Sequence, residues 1–435
     1  MKMNKSFIVA IFFITLFASC NKDNNVPPDN TNTLTSAMAR DSLYDIMNEW
    51  YYWYNLIPSV NKESYTDPYK LMDAMRYKPL DRWSFVADYD EFMAQMQGTF
   101  VGHGFRIGID GSDNARIAMI FSHSSLSEQG VRRGWIVKKI NGTDVAPILL
   151  SGNAAAYSTL IGPAEAGITN TFLFQKPDGT EVTISATKSS FTLNSVLLYD
   201  TLNLSTGVTG QLVFESFISP SIEELATAFA FFSANGVKDL ILDLRYNSGG
   251  YLYVAQSLAS YIAGNSNQGT DFARLLYNDK HPEQNMSFPF IATQSPLSLQ
   301  RLIVITTRET ASASESVMNG LKPFMNVISI GDTTNGKPTG MDGFEVGKKY
   351  FFAPVTFKIV NKNNEGDYFD GIAPEAIVQD DITHDFSERE ELCLKAAISY
   401  LETGAFSSKG VSTFKRLPQF SEKPEWMKNA FILSK

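Results

Sequence analysis

The sequence predicts an α/β protein built from three regions of different periodicity. From Gln211 onward, apolar strands alternate with amphipathic helices, which is the pattern of βαβ units and a largely parallel sheet. Residues 101–187 instead contain short strands between Gly and Asn-Gly turns, which indicates a β-domain. Before them, apolar residues from Leu43 to Trp50 recur every three or four positions, which predicts a helical segment.

Length and charge limit the possible classes of protein. A chain of 435 residues is long enough for two or three domains, and 44% hydrophobic residues is typical of a folded globular protein. The formal net charge of −9 argues against a nucleic-acid partner, and no basic stripe offsets it.

Residues 1–20 have the pattern of a targeting signal. Lys2 and Lys5 precede an apolar stretch at residues 7–17, and small residues lead to Cys20. Eleven apolar residues are too few for a transmembrane anchor. The segment resembles a bacterial lipoprotein signal, although Phe17 stands where Leu, Val or Ile is usual. This resemblance implies a lipid on Cys20 that anchors the chain to the membrane of the bacterial cell envelope, facing the periplasm or the cell surface. Plain secretion is the alternative.

The segments that follow the signal have few candidate site residues. Residues 21–36 are rich in Asn, Asp, Thr and Pro and predict a flexible tether. Residues 37–98 predict an N-terminal helical domain, whose aromatic cluster Trp50–Tyr54 we interpret as core packing rather than a ligand site. Cys393 lies in a helical pattern and is interpreted as a small buried hydrophobe, with no intramolecular disulfide expected.

The β-domain is predicted at residues 101–190. Its predicted strands are Phe105–Ile109, Ala115–Phe121, Trp135–Ile140, Thr171–Gln175 and Glu181–Ala186. The run Gly134–Gly142 resembles the "GD-I-x-x-I-N-G" segment of a PDZ domain, with Trp135 in place of the aspartate. The resemblance implies a loop that binds the carboxylate of a peptide C-terminus, beside a strand edge that pairs with the peptide. That loop consists of Gly104, Phe105, Arg106 and Ile107. A purely structural β-domain is the alternative.

The α/β core is predicted at residues 195–403, and a tail without a recognisable motif follows at residues 404–435. The predicted strands of the core are Gln211–Phe217, Asp239–Leu244, Leu302–Thr307, Val327–Gly331 and Tyr350–Val360. The predicted helices are Ile222–Asn235, Leu252–Ile262, Ser312–Lys322 and Glu388–Leu401.

Ser312 and Lys337 are candidates for a nucleophile and its base. Ser312 lies in the run Thr310–Glu315, which opens a helix directly after an apolar strand, where unpaired backbone N–H groups can stabilise an oxyanion. The four histidines are far from this run in sequence. Lys337 follows 25 residues after Ser312 and can accept the serine proton if burial lowers its pKa.

A second informative run is Leu242–Gly250. A buried strand ends there in a polar turn with Gly249 and Gly250, which places open backbone amides at the carboxyl edge of a parallel sheet. Asp243 and Arg245 in this run are most simply read as a local ion pair or turn clamp.

Together, the runs Leu242–Gly250, Thr310–Glu315 and Gly336-Lys337 resemble the carboxyl-terminal processing peptidases, also called tail-specific proteases. That family has the runs D-L-R-x-N-x-G-G, S-A-S-A-S-E and G-K in this order, and the likeness extends from about Asp41 to Leu401. The resemblance implies a crotonase-like or Clp-like α/β protease core with an N-terminal helical segment and an inserted PDZ-like β-domain.

The resemblance also implies roles for single residues. Ser312 would be the nucleophile and Lys337 the general base of a Ser-Lys dyad. The oxyanion hole would come from Ala313 N–H and a glycine of Gly249-Gly250, with Glu315 and Arg245 as supporting residues. Some members have an aspartate where this chain has Pro323, and others a glutamine where it has Met341, so a third catalytic group is open, with Asp342 a candidate. No cofactor is expected, and no metal-ligand spacing is present.

These observations predict a serine endopeptidase that cleaves proteins or peptides recognised through their free C-termini. The alternative is a catalytically inactive envelope lipoprotein that binds peptides or acts as a scaffold. A peptidoglycan or β-lactam-type acyl enzyme is disfavoured, because the SxxK matches at Ser59–Lys62 and Ser185–Lys188 lack the KTG and SDN runs that should follow.

Overall fold

The computed structural model describes residues 34–297, 299, 301–406, 417–422 and 432–433. The predicted signal segment with Cys20 and nearly all of the tether lie outside the described residues. The helices are α1 (Ser36–Trp50), α2 (Pro68–Met75), α3 (Tyr89–Met96), α4 (Ser125–Glu128), α5 (Ala146–Leu150), α6 (Ala154–Ile161), α7 (Ser221–Ala234), α8 (Leu252–Ala263), α9 (Ala313–Leu321) and α10 (Leu392–Thr403). Within the described part of the chain, no helix is long and apolar enough to cross a membrane.

The strands form several sheets. They are β1 (Phe85–Asp88), β2 (Thr99–Gly102), β3 (Phe105–Ile109), β4 (Ala115–Ile120), β5 (Ile136–Ile140), β6 (Thr143–Asp144), β7 (Thr169–Gln175), β8 (Glu181–Thr187), β9 (Ser189–Thr192), β10 (Val196–Leu204), β11 (Gly207–Phe214), β12 (Asp239–Asp243), β13 (Asp271–Tyr277), β14 (Met286–Pro289), β15 (Arg301–Thr306), β16 (Asn326–Gly331), β17 (Thr339–Asp342), β18 (Phe344–Val346), β19 (Tyr350–Ala353), β20 (Val355–Val360), β21 (Ala376–Ile377), β22 (Gln419–Ser421) and β23 (Ile432–Leu433).

The α/β core is organised around a sheet with the order β10-β11-β12-β15-β16-β21. Strands β11, β12, β15, β16 and β21 pair in parallel, while β10 forms an antiparallel pair with β11. The alternation of strands and helices therefore predicted the largely parallel sheet correctly. Asp243 at the end of β12 pairs with Ile305 near the end of β15. This register brings the loops that follow these two strands, with the glycine pair and Ser312, to the same sheet edge.

The predicted strand Tyr350–Val360 is in fact two strands in two sheets. Strand β19 pairs with β1 and β18, whereas β20 pairs with β13 and β17. Pro354 lies between the two strands, and proline has no N–H group for a ladder hydrogen bond, so one uninterrupted strand was the wrong prediction. The pairing of β1 with β19 also joins the N-terminal helical segment to the core.

The β-domain has the sheet order β22-β3-β4-β5-β7-β8, with β6 paired to β5. Every strand predicted between residues 101 and 190 is present, with ends within two residues of the prediction. Alternate residues of β3, β4 and β7 face a buried apolar cluster that includes Ile107, Ile117 and Phe172. The edge strand β22 comes from the C-terminal tail, residues 404–435, in which the sequence has no recognisable motif.

Arg245 is the centre of a buried charge cluster beneath the sheet edge. Its guanidinium contacts Asp243 at 2.7 Å, Glu391 at 2.8 Å and Asp380 at 2.9 Å, and all four side chains are almost fully buried. The ion pair predicted between Asp243 and Arg245 is present. Glu391 also accepts a hydrogen bond from Leu394 N and so caps α10. The cluster fixes the start of α10 against the end of β12.

We expect Arg245→Met to lower the free energy of unfolding by about 3–5 kcal/mol, because it leaves buried carboxylates without a counter-charge. Lys138→Met is the matched control, because the Lys138–Glu181 pair is exposed and such pairs contribute about 1 kcal/mol or less. Urea unfolding followed by circular dichroism measures both changes. Equal losses in the two variants would contradict the structural role assigned to Arg245.

Candidate active site

Ser312 is a fully buried residue at the first turn of α9. Its backbone has φ of 59° and ψ of −111°, a conformation that non-glycine residues rarely adopt and that is often found at functional sites. Its Oγ makes no hydrogen bond with a described residue. The hydroxyl therefore lies at a helix N-terminus, where backbone N–H groups and the helix dipole favour negative charge.

Glu315 holds the backbone around Ser312 and the backbone around Lys337 in one place. Its Oε2 accepts hydrogen bonds from Ser312 N and from Lys337 N, each at 2.8 Å. Its Oε1 accepts from Gly336 N at 2.6 Å and from Thr334 Oγ1 at 2.5 Å. Because one oxygen atom binds both Ser312 N and Lys337 N, these nitrogens are at most twice that N–O distance apart. Burial raises the pKa of the Glu315 carboxyl group, and the four donated hydrogen bonds oppose this shift.

Lys337 is a fully buried lysine. Its Nζ lies 3.8 Å from Met341 Sδ. Burial lowers the pKa of Lys337 to about 7, while the negative charges of Asp81 and Glu315 act in the opposite direction. At neutral pH a large fraction of this amine is uncharged and can accept a proton, as a general base must.

Asp81 is a charged neighbour of Lys337 that the sequence did not identify. Its carboxylate is buried and accepts hydrogen bonds from Tyr51 Oη, Trp83 N and Ser84 N. Trp83 Nε1 in turn donates to Asn335 Oδ1 at 3.1 Å, two residues before Lys337. The N-terminal helical segment therefore packs against the loop that carries the candidate base. Tyr51 itself is buried in this packing, as predicted for the aromatic cluster.

Gly249 and Gly250 lie near the loop that carries Ser312, in conformations that require glycine. Gly249 has φ of +104°, and a Cβ there would lie 3.0 Å from Ser312 Cβ. Gly250 has φ of +140°, and a Cβ would overlap the carbonyl oxygen of Phe217. Gly249 N donates to Asn247 Oδ1 at 2.9 Å, so its N–H group is already engaged. The N–H groups of Gly250 and Ala313 are therefore the better candidates for oxyanion donors.

Arg245 and Asp342, two other predicted site residues, have buried hydrogen-bond partners of their own. The Arg245 guanidinium is committed to its three carboxylates, as described above. Asp342 accepts a hydrogen bond from Thr356 Oγ1 at 2.8 Å, while its neighbour Met341 contacts Lys337.

The predicted peptide-binding residues belong to the β-domain, and one of them forms a hydrogen bond with the loop that carries Ser312. Arg106 Nη1 donates to Glu309 Oε1 at 2.6 Å, and Glu309 is three residues before Ser312. Gly104 N donates to Glu422 Oε2 at 3.2 Å. Among the described residues, no group of three or more His, Cys, Asp or Glu side chains could hold a metal ion.

Comparison with protein families gives matches over the N-terminal segment and the core. The peptidase family S41 model matches residues 208–378, and the peptidase S41 N-terminal domain model matches residues 39–85. The two matches together cover half of the chain and include Asp81, Gly249, Gly250, Ser312 and Lys337. The family match and the fold place the molecule in the class of serine-type peptidases. The chain belongs to peptidase family S41.

Two curated relatives are named carboxyl-terminal processing proteases. The carboxy-terminal processing protease CtpB of Bacillus subtilis is 22% identical over 288 residues, which are 65% of this chain and 56% of that protein. The carboxyl-terminal-processing protease of Synechocystis is 24% identical over 330 residues, which are 74% of this chain and 73% of that protein. The first match thus spans little more than half of the relative's length.

A solved structure supports the fold. The crystal structure of a putative S41 protease from Bacteroides fragilis superposes with a TM-score of 0.69 at 22% sequence identity. The match covers 84% of this chain and 97% of that chain. The mixed α/β architecture with its N-terminal helical segment is therefore that of an S41 protease.

We expect Glu315→Gln to lower the free energy of unfolding by about 2 kcal/mol, because the buried hydrogen-bond network loses its charge and one of its two acceptor oxygens. The amide N–H₂ of Gln would also face N–H groups that now donate to a carboxylate. Chemical denaturation measures the loss, with the exposed Glu390→Gln as control. A Glu315→Gln protein as stable as the control would show that this carboxylate does not hold the two loops together.

Proposed function

We propose that this chain is an endopeptidase in which Ser312 is the nucleophile and Lys337 is the general base. The uncharged Nζ takes the proton from Oγ as Oγ bonds to the carbonyl carbon of the scissile peptide. The resulting oxyanion accepts hydrogen bonds from Ala313 N–H and Gly250 N–H. The Lys337 ammonium group then gives its proton to the leaving amine, and water hydrolyses the acyl-enzyme by the same route.

The observation that carries this proposal is the buried amine of Lys337. Its pKa of about 7 makes it a base at neutral pH, and Glu315 binds its backbone and that of Ser312 through a single oxygen atom. Burying an ammonium group costs free energy, and this cost favours the uncharged amine that a general base requires. The Ser312 hydroxyl, buried and without a hydrogen bond to a described residue, fits a nucleophile better than a structural serine.

Substrate recognition through the C-terminus is part of the same proposal. In the β-domain, strand β3, which pairs with the short strand β22, and the loop at Gly104 resemble the peptide-binding elements of a PDZ domain. A substrate bound there by its terminal carboxylate would extend its upstream residues toward Ser312. Arg106 of β3 contacts Glu309, which lies in the same loop as Ser312. This contact supports a short distance between the peptide-binding strand and Ser312.

We also propose, from the sequence of residues 1–20, that the chain is a bacterial lipoprotein with its lipid on Cys20. The folded part would then lie outside the inner membrane, tethered through residues 21–36. Metabolic labelling with a radioactive fatty acid checks this, since Cys20→Ser should lose the label.

Ser312→Ala and Lys337→Ala should each reduce cleavage of an unstructured protein such as casein by about a thousandfold or more, because each removes one half of a unit that acts together. Lys362→Ala, which removes an exposed amine, should retain wild-type activity. Gel electrophoresis of the digests measures the rates. Activity that survives in Lys337→Ala would move the base role to another residue. An inactive wild-type protein would favour the peptide-binding scaffold instead.

Acylation of Ser312 by a fluorophosphonate probe should depend on pH through the pKa of Lys337. Below about pH 7 the amine is protonated, so the rate constant should fall about tenfold per pH unit. Above that pH the amine is neutral, and the rate constant should be constant. Labelling measured by in-gel fluorescence, with Ser312→Ala as the blank, gives the profile. A rate constant that continues to rise up to pH 10 would contradict a base of lowered pKa.

A further inference from the structure

Strand β22 is added to the edge of β3 by residues from the C-terminal part of the chain. The pairing is antiparallel, with Gln419 opposite Gly108, Phe420 opposite Ile107 and Ser421 opposite Arg106. Ile109 N extends the ladder by donating to Pro418 O at 3.1 Å. A short strand that completes an exposed sheet edge is the way in which many domains bind extended peptides. The β3 edge that would receive a substrate is therefore occupied by the protein's own residues.

Glu422, directly after β22, places its carboxylate in the loop at the start of β3. Glu422 Oε2 accepts hydrogen bonds from His103 N at 2.8 Å and from Gly104 N at 3.2 Å. Its Oε1 lies 3.0 Å from Lys188 Nζ, and the side chains of Lys188 and Glu422 are 1% and 4% exposed. Two backbone amides and a buried ammonium group are the set of donors that a terminal carboxylate requires.

The surroundings of Glu422 have room for a ligand other than this side chain. A cavity of about 460 Å³ lies beside it, lined in part by Tyr157, Lys188 and Glu422. Tyr157 is buried, and its Oη makes no hydrogen bond with a described residue. The ring of Phe420 packs 5.2 Å from the ring of Tyr157, so an apolar side chain two positions before the carboxylate also has a place. These features match a site for an apolar peptide C-terminus.

We propose that residues 417–422 are an internal occupant of the peptide site, with the Glu422 carboxylate standing for the terminal carboxylate of a substrate. The segment keeps the site closed until a peptide with a free C-terminus displaces it. The proposal rests on the peptide recognition put forward under the proposed function. Only molecules whose site is open can bind a peptide. The apparent affinity is therefore the intrinsic affinity multiplied by the fraction of molecules in the open state.

Charge explains why the occupant can be exchanged. Lys188 Nζ also donates to Gly162 O and Pro163 O, but the buried ammonium group needs an anion beside it. Glu422 supplies that anion in the closed state, and the α-carboxylate of a bound peptide supplies it in the open state. Removing the charge of Glu422 therefore weakens the closed state and leaves the open state intact.

Peptide binding to full-length Ser312→Ala protein tests the proposal without cleavage. The probe is a fluorescein-labelled peptide that ends in two alanines with a free carboxylate, and the same peptide with a C-terminal amide is its control. Adding Glu422→Gln should tighten binding of the free-carboxylate peptide roughly tenfold, as measured by fluorescence anisotropy. The exposed Glu390→Gln is the matched control and should leave affinity unchanged. Truncating the chain before residue 417 is less suitable as a test, because it would also remove β23, which pairs with β17 at Met341.

Hydrogen exchange on the protein with unchanged Glu422 provides a second measurement that does not depend on how the variant folds. Saturating free-carboxylate peptide should remove the protection of the amides at residues 419–422, whereas the amidated peptide should not. The proposal is overturned if Glu422→Gln does not change the affinity, if peptide binds without loss of protection, or if no peptide binds.

The outcome is independent of the catalytic assignment. Casein cleavage that requires Ser312 would stand even if these peptides failed to bind. Conversely, peptide exchange in a protein that cleaves nothing would support the internal occupant and refute the endopeptidase.

Discussion

The buried carboxylate of Glu315 is the constraint on which the arrangement of the site depends. One of its oxygens binds the backbone of both Ser312 and Lys337, and the other binds Gly336 and Thr334. Two loops that are separated by 25 residues in sequence are thereby joined without either side chain of the proposed dyad being used. The carboxylate also keeps a negative charge near the lysine, which limits how far burial can lower the pKa of Lys337.

Three regions of the chain meet at these loops. The N-terminal segment supplies Asp81 and holds Asn335 through Trp83. The β-domain holds Glu309 through Arg106, and Arg106 lies opposite Ser421 in the register of β22. One of the three residues that pair with the C-terminal segment, Arg106, therefore also contacts the loop that carries Ser312. This continuity gives the proposed exchange of β22 for a substrate a direct physical connection to the position of Ser312.

The sequence predicted those features that depend on local pattern. Alternating apolar strands and helices indicated the parallel sheet, and short strands between glycine turns indicated the β-domain. Asp81 could not be identified in this way, because a single aspartate in a helical segment has no motif and meets Lys337 only after folding. Strand β22 was not predicted, because three residues are too few to show the alternation of apolar and polar side chains that indicates a strand. Arg245 was correctly read as part of a turn clamp, but its contacts with Asp380 and Glu391 join positions more than a hundred residues apart.

The proposed mechanism depends on the titration of one amine, that of Lys337. In protein labelled with ¹³C at the ε-carbon of lysine, the signal that disappears in Lys337→Arg reports the charge of Lys337 directly by nuclear magnetic resonance. We expect a midpoint close to pH 7, because burial lowers the pKa of this group. A midpoint at about 10.4, the value for a lysine in water, would show an ammonium group that cannot accept the proton of Ser312.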